Sequence, residues 1–368
     1  MKIVHIIGRL GMGRDTRTVL NSISAMKKIH DISDWQIDFI THDIGYNEQT
    51  VRKLESAGFR VFILNGDVRK SGVVKYFFDI YRFLKENGKY DVIHVHTSFQ
   101  SAVALTAAGF AGVHKRICHA HTIALERDSS KIKKAVAIPV FRFLIGEFSN
   151  VKIACSEYAG KYVLGNKKFT VLYNGIDIEK YKNVEFADTR NQLINSQESY
   201  VVGYVARFSK VKNQKFIIEL AEKMKDQNDI KFVLVGDGEL YSYYKKQIDE
   251  KKINVLCTGR RNDIPALMQS FDMMLIPSLA EGFSITLLEA QACMCSCLCS
   301  DKLPRTADIG LKLVKYLPLE NKELWINEIQ KRKPHNHDNH NALSKIHEIG
   351  MDEADIAEKL YNIYTQRG

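Results

Sequence analysis

The chain has 368 residues, 45% of them hydrophobic and 26% charged, and its formal net charge is +10. A chain of this length is too long for one ordinary hydrophobic core, so two domains are expected. The composition is that of a globular protein and excludes a disordered or fibrous one. The sequence contains no run of about 18 apolar residues, the length that a membrane-spanning helix needs.

The positive charge lies in the first half of the sequence. Up to Lys182 there are 28 Lys and Arg residues against 17 Asp and Glu residues, whereas the remainder has 25 against 26. This asymmetry indicates an acidic partner for the first half, either an anionic membrane surface or a nucleic acid, unless the basic surface is simply solvated. No recognition helix or aromatic-basic platform is evident, so no nucleic-acid partner is expected.

Strands and helices alternate along the first half. Buried strands are predicted at KIVHII, WQIDFIT, RVFIL, DVIHVHT, KRICHAHT and VKIACS. Helices are predicted between these strands. The alternation indicates a mostly parallel sheet with right-handed crossovers, in which ligands bind at the carboxyl ends of the strands.

Gly11 and Gly13 follow the first strand and precede a helix that is predicted to begin near Asp15. Strand, glycine-rich loop and helix form a common phosphate-binding arrangement in α/β proteins. The third glycine of a dinucleotide fingerprint is missing, because Asp15 and Thr16 stand where it is expected. A phosphate loop and a plain tight turn both remain open on these residues alone.

Two strand ends carry pairs of histidines, His94 with His96 and His119 with His121. Alternation along a strand places each pair on one face. No carboxylate accompanies the histidines at ligand spacing, which argues against a metal site. A single histidine that hydrogen-bonds a polar substrate and a set of buried structural histidines both remain open.

Residues 131–145, KIKKAVAIPVFRFLI, are basic at first and then strongly apolar. The segment fits a membrane-surface helix whose lysines and Arg142 lie at the lipid headgroups. A partly buried core helix is the other interpretation, and Pro139 together with the unbroken apolar run favours it.

The strand and helix pattern restarts near residue 201. We therefore predict an N-terminal Rossmann-like domain over residues 1–182, a polar linker over 183–200 and a second Rossmann-like domain over 201–350. A final helix over 351–368 is expected to pack back on the first domain. Two facing domains of this kind form a cleft.

The second domain carries charged residues where its strands end. Arg207 and Lys212 follow its first strand, and cations beside a helix start are suited to neutralising a diphosphate. Glu281 lies in a loop after the strand MMLIPS, and Glu289 lies in the helix that follows. The free N–H groups at the start of that helix, which Gly282 makes accessible, form an anion site between the two carboxylates. A ligand with both phosphate and hydroxyl groups, such as a nucleotide-sugar, fits this arrangement.

The cysteines predict no disulfide framework. The chain has seven, of which Cys293, Cys295, Cys297 and Cys299 are spaced at every second residue. This spacing fits neither paired secreted cysteines nor zinc knuckles, and it favours small side chains buried along a strand. A reducing cytoplasmic compartment is expected.

Several motifs, taken in their order along the chain, resemble those of a known family. The motifs YNGID, GYVARFSKVKNQ, FVLVGDGEL and CTGRRNDIPALMQSFDMMLIPSLAEGFSITLLEAQA resemble those of the retaining glycosyltransferases of family 4, which have the GT-B fold. In the first half, DFITHD, DVIHVHT and CHAHT are similar to bacterial exopolysaccharide and capsule members. The resemblance covers nearly the whole chain and implies an α/β protein with two Rossmann-like domains facing across a cleft.

The resemblance implies a role for each matching residue. Glu281 would contact hydroxyls of the donor sugar, and Glu289 would hold the ribose hydroxyls. Arg207 and Lys212 would neutralise the diphosphate, and His121, with His119 as its rival, would lie near the reacting sugar. The further donor-binding residues that it implies are Gly11, Gly13, Gly259, Arg261, Gly282, Phe283, Ser284, Ile285 and Thr286.

The implied activity is transfer, with retention, of a sugar from a UDP-sugar to a lipid-linked saccharide acceptor in surface polysaccharide synthesis. Arg207, Lys212 and the helix start would stabilise the leaving diphosphate, and a donor phosphate oxygen would accept the acceptor's proton. No metal or other cofactor is expected, because the cations take that role. The enzyme is expected in the cytoplasm, peripheral at the inner face of the cell membrane.

The sequence departs from the family pattern at two turns. Met294-Cys-Ser296 stands where the family has glycine, a hydrophobic residue and proline, and the first glycine loop continues with Arg14-Asp-Thr16. Two alternative functions are a GT-B sugar-nucleotide epimerase and a catalytically silent sugar-binding subunit. The epimerase would need acid and base carboxylates on both cleft faces, and the first half offers no clear candidate. The altered glycine loop leaves the silent subunit open.

Overall fold

A computed structural model provides the structure of the chain. It describes residues 1–368 except 9, 12, 13, 44, 45, 122–130, 195–198, 333, 334, 336, 367 and 368. Of residues 14, 15, 17 and 131–136 it describes the backbone only. The chain divides into two compact units, the first comprising Met1–Gly175 with Glu353–Gly368 and the second comprising Ile176–Asp352.

Strands alternate with helices in both units. Those of the first unit are β1 (Lys2–Ile6), β2 (Gln36–His42), β3 (Arg60–Leu64), β4 (Val92–Val95), β5 (Lys115–Ala120), β6 (Val151–Ala154) and β7 (Thr170–Val171). Those of the second unit are β8 (Tyr200–Val205), β9 (Ile230–Val235), β10 (Val255–Gly259), β11 (Met273–Ile276), β12 (Ser296–Ser300) and β13 (Val314–Leu317).

The helices connect these strands. Those up to residue 164 are α1 (Arg14–Ile29), α2 (Glu48–Ser56), α3 (Val68–Ser71), α4 (Val73–Glu86), α5 (Ser101–Ala111), α6 (Lys131–Phe148) and α7 (Glu157–Leu164). The later ones are α8 (Ala187–Leu193), α9 (Gln214–Lys223), α10 (Tyr241–Lys251), α11 (Ile264–Ser270), α12 (Ile285–Ala292), α13 (Lys322–Gln330), α14 (His340–Glu348) and α15 (Glu353–Thr365). Short 3-10 helices lie at Ser98–Gln100, Ile178–Tyr181, Lys210–Lys212 and Arg305–Ala307. Within the described residues, none of these helices combines the length and the apolar composition that crossing a bilayer requires.

The described strands of the first unit form a seven-stranded parallel sheet in the order β3-β2-β1-β4-β5-β6-β7. Its strands are largely buried because helices cover both faces, which is the usual condition of parallel sheets. The order reverses between β1 and β4, the switch point at which open α/β sheets bind ligands.

Helix α15 belongs to the first unit although it lies at the end of the chain. Its apolar residues Ile356, Leu360 and Tyr364 pack in one core with α1 and the strands. The ammonium of Lys115 donates to the backbone carbonyls of Ile363 at 2.6 Å and Tyr364 at 2.8 Å. This cation satisfies carbonyls that the last turn of a helix leaves without intrahelical partners.

The described strands of the second unit form a six-stranded parallel sheet in the order β10-β9-β8-β11-β12-β13. The first strand of the unit, β8, lies between β9 and β11, so the switch point lies between β8 and β11. This topology is that of a Rossmann-like domain.

The predicted linker over residues 183–200 is wrong in its described part, because it is folded into the second unit. Leu193 of α8 is buried, with 3% of its surface exposed. Arg190 donates to the carbonyl of Ser270 at 2.5 Å and to Asp272 Oδ2 at 3.0 Å. The polar side chains of the segment thus have hydrogen-bond partners far along the sequence. The observed units divide after Gly175 rather than after residue 182.

Met294 occupies the turn between α12 and β12 with a φ of 56°, in the left-handed region. The N–H of Cys295 donates to the carbonyl of Ala290 at 3.0 Å, which closes the end of α12. A side chain with a Cβ is disfavoured in this conformation by about 1–2 kcal/mol, whereas glycine adopts it freely. The residue that departs from the family pattern is therefore under backbone strain.

We expect Met294→Gly to be more stable than Met294→Ala by about 1 kcal/mol, because both variants lose the side chain but only glycine relieves the strain. The free energy of unfolding in urea, followed through the fluorescence of the buried Trp325 in a Trp35→Phe background, measures the difference. Equal stability of the two variants would contradict the strain.

Candidate active site and family

The switch point of the second unit brings together two loops from distant parts of the sequence. One follows β8 and contains Arg207 and Lys212, and the other follows β11 and contains Glu281. The two loops are bonded to each other: the N–H of Leu279 donates to the carbonyl of Val211 at 2.8 Å, and Asn213 Nδ2 donates to the carbonyl of Pro277 at 3.1 Å. These bonds fix the carboxyl ends of β8 and β11 as one rigid site.

Lys212 and Glu281 form an ion pair at this site. Lys212 Nζ lies 2.7 Å from Glu281 Oε1, and the side chains are 15% and 2% exposed. The phenol of Tyr204 bonds both the carbonyl of Lys212, at 2.9 Å, and Ser278 Oγ, at 3.0 Å. The sequence therefore positions a cation and a carboxylate where water is largely excluded, so their electrostatic interactions are little screened.

Helix α12 begins directly after the Glu281 loop. Ser284 is its N-cap residue in an extended conformation, with φ −96° and ψ 92°, and its side chain does not cap the helix. Ser284 is buried, and its Oγ has no hydrogen-bond partner among the described residues. Because the first N–H groups of a helix have no intrahelical acceptors, the start of α12 is a candidate anion site beside Lys212.

Glu289 lies further along α12 and accepts a hydrogen bond from Tyr181 OH at 3.1 Å. Tyr181 is itself buried, with 4% of its surface exposed. Sequence reasoning missed Tyr181, because no motif spacing connects it with a carboxylate 108 positions away. The only signal was its place at the end of the stretch YNGIDIEKY.

Arg207 is the exposed cation of the site. Its guanidinium lies 3.1 Å from Glu239 Oε2, and the two side chains are 67% and 54% exposed. The Arg207 backbone is held by the turn after β9, where the N–H of Phe208 donates to the carbonyl of Asp237 at 2.9 Å. Gly236 permits this contact: its φ is 135°, and a Cβ there would lie 2.0 Å from the carbonyl oxygen of Ala206.

Gly259 and Arg261 follow β10. The carbonyl of Gly259 accepts from the N–H of Gly236 at 2.9 Å, which joins this strand end to the Arg207 loop. Arg261 makes two hydrogen bonds to Asp263, at 2.8 and 2.6 Å. The guanidinium lowers the pKa of the Asp263 carboxyl. The charge of Arg261 is therefore engaged by Asp263, as that of the more exposed Arg207 is by Glu239.

The remaining candidate residues lie in the first unit. Gly11 is described, and its N–H donates to Thr16 Oγ1 at 3.3 Å. Gly13 lies outside the described residues. His94, His96, His119 and His121 are all buried, and a further buried histidine, His5, joins them from β1.

The histidine rings are linked in pairs. Nitrogen atoms lie 3.2 Å apart between His5 and His96, 3.2 Å apart between His94 and His119, and 2.9 Å apart between His96 and His121. Burial lowers the pKa of His94, His96 and His119 well below the usual value and lowers that of His5 to about 3. These four rings are therefore neutral at physiological pH.

The cysteine run is buried as predicted. Cys297 and Cys299 lie on β12, and Cys293 and Cys295 lie in the turn before it, each with no more than 1% of its surface exposed. Burial raises the pKa of all four thiols, so they are unreactive packing residues.

Comparison with known proteins identifies the family. Residues 30–180 match the family model described as Glycosyltransferase Family 4, and residues 185–310 match that described as Glycosyl transferases group 1. The sequence is 30% identical to EpsF of Bacillus subtilis over an alignment that covers 99% of this chain and 96% of EpsF. The chain belongs to glycosyltransferase family 4.

Two other relatives of this glycosyltransferase align over less of the chain than EpsF does. A UDP-Gal:alpha-D-GlcNAc-diphosphoundecaprenol alpha-1,3-galactosyltransferase of Escherichia coli is 30% identical over 243 residues, which cover 62% of each chain. The capsular polysaccharide biosynthesis glycosyltransferase CapH of Staphylococcus aureus is 25% identical over 82% of this chain and 81% of its own.

The fold agrees with this assignment. The crystal structure of HepE from Anabaena in complex with UDP superposes with a TM-score of 0.75, covering 98% of this chain and 99% of HepE at 21% identity. The GT-B fold predicted from the motifs is confirmed. The roles of individual site residues in this glycosyltransferase stay predictions.

The stability of the first unit is expected to fall below pH 6.5. The pKa values of His5, His94, His96 and His119 are lowered from 6.5 by folding, so the unfolded chain binds more protons than the folded chain once the pH is below that value. Each histidine then removes up to about 1.4 kcal/mol of stability per pH unit.

Urea unfolding of the first unit, followed through Trp35 between pH 7.5 and 5.0, measures this dependence. His5→Asn removes one of the titrating groups and should make the loss with pH less steep. A free energy of unfolding that stays constant from pH 7 to pH 5 would show that these histidines are not neutral in the folded state.

Proposed function

We propose that this glycosyltransferase transfers a sugar, with retention of anomeric configuration, from a UDP-sugar to a lipid-linked saccharide acceptor in bacterial surface polysaccharide synthesis. The names of its relatives support this proposal: the E. coli enzyme acts on a diphosphoundecaprenol acceptor, CapH belongs to capsular polysaccharide biosynthesis, and HepE binds UDP. The observation that carries it is the buried Lys212–Glu281 pair beside the start of α12.

The site suits departure of a nucleoside diphosphate. As the bond between the anomeric carbon and the diphosphate oxygen breaks, negative charge develops on the leaving phosphate. Lys212, Arg207 and the N–H groups at the start of α12 are fixed positive groups that stabilise this charge more in the transition state than in the ground state. We expect no metal ion to be needed, because these groups supply the positive charge.

The two carboxylates are assigned to hydroxyl groups of the donor. Glu281 is paired with Lys212, so it is ionised and accepts hydrogen bonds from the sugar. Glu289, held by Tyr181, accepts from the ribose hydroxyls. In this proposal the acceptor hydroxyl attacks the face from which the diphosphate leaves, and its proton passes to a phosphate oxygen.

The glycosyltransferase is proposed to bind the cytoplasmic face of an anionic membrane through its first unit. Exposed apolar side chains on α4, α5 and α6 form an apolar surface patch there, and Phe77 of α4 lies 5.9 Å from Phe110 of α5 between ring centroids. The most exposed members of the patch are Val74, Phe110 and Phe143, at 70%, 64% and 61%.

The charge of the first half complements an anionic bilayer, as does the exposed apolar patch. Arg142, which the sequence places among the headgroup contacts, also donates from its guanidinium to the carbonyl of Tyr162 at 2.7 Å. The side chains of the lysines in residues 131–136 lie outside the described residues.

Glu281→Gln is expected to lower kcat at least about 100-fold, because it removes the charge that holds Lys212 and the acceptor for the sugar hydroxyls. Glu250→Gln, which neutralises an exposed glutamate of the same unit, is the matched control and should leave kcat unchanged. Turnover of both variants is followed by release of UDP. Unchanged transfer by Glu281→Gln would exclude the role assigned to this carboxylate.

The proposed activity is tested with a panel of nucleotide-sugars and undecaprenyl-diphosphate-linked saccharide acceptors. Transfer from a UDP-sugar is expected, and proton NMR of the product should show the anomeric configuration of the donor. An inverted product, or no transfer from any donor, would contradict the proposal.

The membrane proposal predicts that Val74→Ser combined with Phe110→Ser weakens cosedimentation with vesicles containing anionic phospholipid. Tyr243→Ser, which removes an apolar residue exposed by 57% on the second unit, should have no effect. The proposal that this surface docks on the membrane would be wrong if the unaltered enzyme, the double variant and Tyr243→Ser bound the vesicles equally, or if the unaltered enzyme did not bind them.

A further inference from the structure

Five buried histidines occupy one face of three neighbouring strands in the first unit. His5 lies on β1, His94 and His96 lie on and just after β4, and His119 and His121 lie on and just after β5. None is more than 7% exposed. Alternation places each pair on one face, and the register that sets His5 opposite His94 brings β1 into the same layer.

Three of these rings form a continuous hydrogen-bonded chain. His5 Nδ1 lies 3.2 Å from His96 Nε2, and His96 Nδ1 lies 2.9 Å from His121 Nε2. Both nitrogens of His96 are therefore used by other rings. A neutral imidazole has one N–H donor and one acceptor nitrogen, so the protons of the chain must all point in the same direction.

The inner end of the chain decides this direction. His5 Nε2 is buried and has no hydrogen-bond partner among the described residues. If the protons pointed towards His5, this nitrogen would be a buried N–H without an acceptor, the rarer kind of unpaired polar group in folded proteins. Protons that point towards His121 leave only a lone pair on His5 Nε2 and place the outer N–H on His121 Nδ1, just after the carboxyl end of β5, the edge of the sheet at which a ligand can accept it. This direction, in which each ring of the chain carries its proton on Nδ1, is therefore the one that the structure favours.

We propose that His5 and His96 are positioning residues that fix the tautomer and the ring orientation of His121. His96 donates from Nδ1 to His121 Nε2, and His121 then carries its proton on Nδ1 as a hydrogen-bond donor. The inference rests on the proposed function in one respect, that His121 lies beside the reacting sugar. There the Nδ1 proton suits an oxygen of the sugar, because the hydrogen bond from His96 holds the His121 imidazole in one tautomer.

The other two histidines form a second pair that provides an internal control. His94 Nδ1 lies 2.7 Å from the hydroxyl of Tyr364 on α15, and His94 Nε2 lies 3.2 Å from His119 Nδ1. His94 is as deeply buried as His96 and lies in the same layer. A substitution there removes a buried imidazole without removing the donor to His121.

A metal site is the other arrangement that these rings suggest. One nitrogen from each of His96, His119 and His121 lies within 4.8 Å of the others, as does one from each of His5, His94 and His96. Zinc requires lone pairs that converge on one point about 2.0–2.1 Å away. The nitrogen–nitrogen distances of 2.9–3.2 Å are those of hydrogen bonds, each of which needs a proton between the nitrogens. Both nitrogens of His96 make such contacts with other rings, so His96 has no lone pair left for a metal ion. The observations therefore favour the hydrogen-bonded chain.

Substitutions at His96 test the contributions of its two hydrogen bonds one at a time. The side-chain amide of His96→Asn places a donor near the position of Nδ1, so it should maintain the bond to His121. The amide of His96→Gln reaches the position of Nε2, where its oxygen can accept from His5, but it provides no donor near the position of Nδ1, and His96→Leu provides neither group. We expect kcat to fall 10-fold or more in His96→Leu and His96→Gln with little change in KM, and to stay within a few fold of the unaltered enzyme in His96→Asn and His94→Asn.

The tautomer is read directly from long-range proton–nitrogen NMR spectra of the full-length enzyme labelled with ¹⁵N-histidine. The His121 signals should show Nδ1 protonated in the unaltered enzyme, in His96→Asn and in His94→Asn, and a mixture of tautomers in His96→Leu or, should that variant not fold, in His96→Gln. This measurement needs no substrate, so it stands even if the proposed transfer activity fails.

Three results would overturn the inference. One is a His121 that carries its proton on Nε2 in the unaltered enzyme. A second is a set of His96 variants that share one kcat and one tautomer. The third is binding of one equivalent of added zinc by the unaltered enzyme that His96→Asn abolishes, since a shared metal ion would replace the hydrogen bonds.

Discussion

The candidate site of the second unit depends on the Lys212–Glu281 ion pair. Both side chains are largely withdrawn from water, and each compensates the charge of the other at a distance of 2.7 Å. Removing one partner of a buried pair typically costs about 3–5 kcal/mol, because the remaining charge is left without compensation. A pair of this kind is weak evidence for stability as such, but it holds a cation and a carboxylate in fixed positions before any ligand arrives.

The sheet topology explains why the pair forms at this position. Lys212 follows β8 and Glu281 follows β11. These two strands are neighbours in the sheet, although Val201 of β8 and Ile276 of β11 are 75 positions apart in the sequence. Hydrogen bonds between the two loops and the central phenol of Tyr204 prevent the pair from separating. Gly236 has a backbone conformation that only glycine adopts easily, and it has no Cβ. The turn after β9 can therefore approach closely enough to hold the Arg207 backbone.

Much of this site was predictable because it follows from local sequence. A strand followed by a charged loop and a helix start is visible in a single segment, so Arg207, Lys212, Glu281 and Glu289 could be named before the fold was known. Tyr181 could not, since its bond to Glu289 joins segments whose approach depends on tertiary packing. The predicted linker was wrong for the same reason: Arg190 and Leu193 have partners far along the sequence, and composition alone does not show these.

The histidines of the first unit show a further limit of sequence reasoning. Alternation within a strand predicted that His94 and His96, and likewise His119 and His121, share a face. It could not include His5, because only the register between β1 and β4 places that ring in the same layer. The chain that His5 completes is a property of strand order, and its effect on His121 is invisible in any one motif.

In the proposed mechanism Lys212 and the start of α12 bind the diphosphate of the donor. Isothermal titration of the intact enzyme with UDP and with UMP measures this contribution, because the two ligands differ only in the second phosphate. We expect UDP to bind at least about tenfold more tightly than UMP, a difference of about 1.4 kcal/mol. This ratio should fall severalfold in the charge-free double variant Lys212→Met, Glu281→Gln, which preserves the volume of the pair but leaves Arg207 and the start of α12 in place. An unchanged ratio in the double variant would contradict the account.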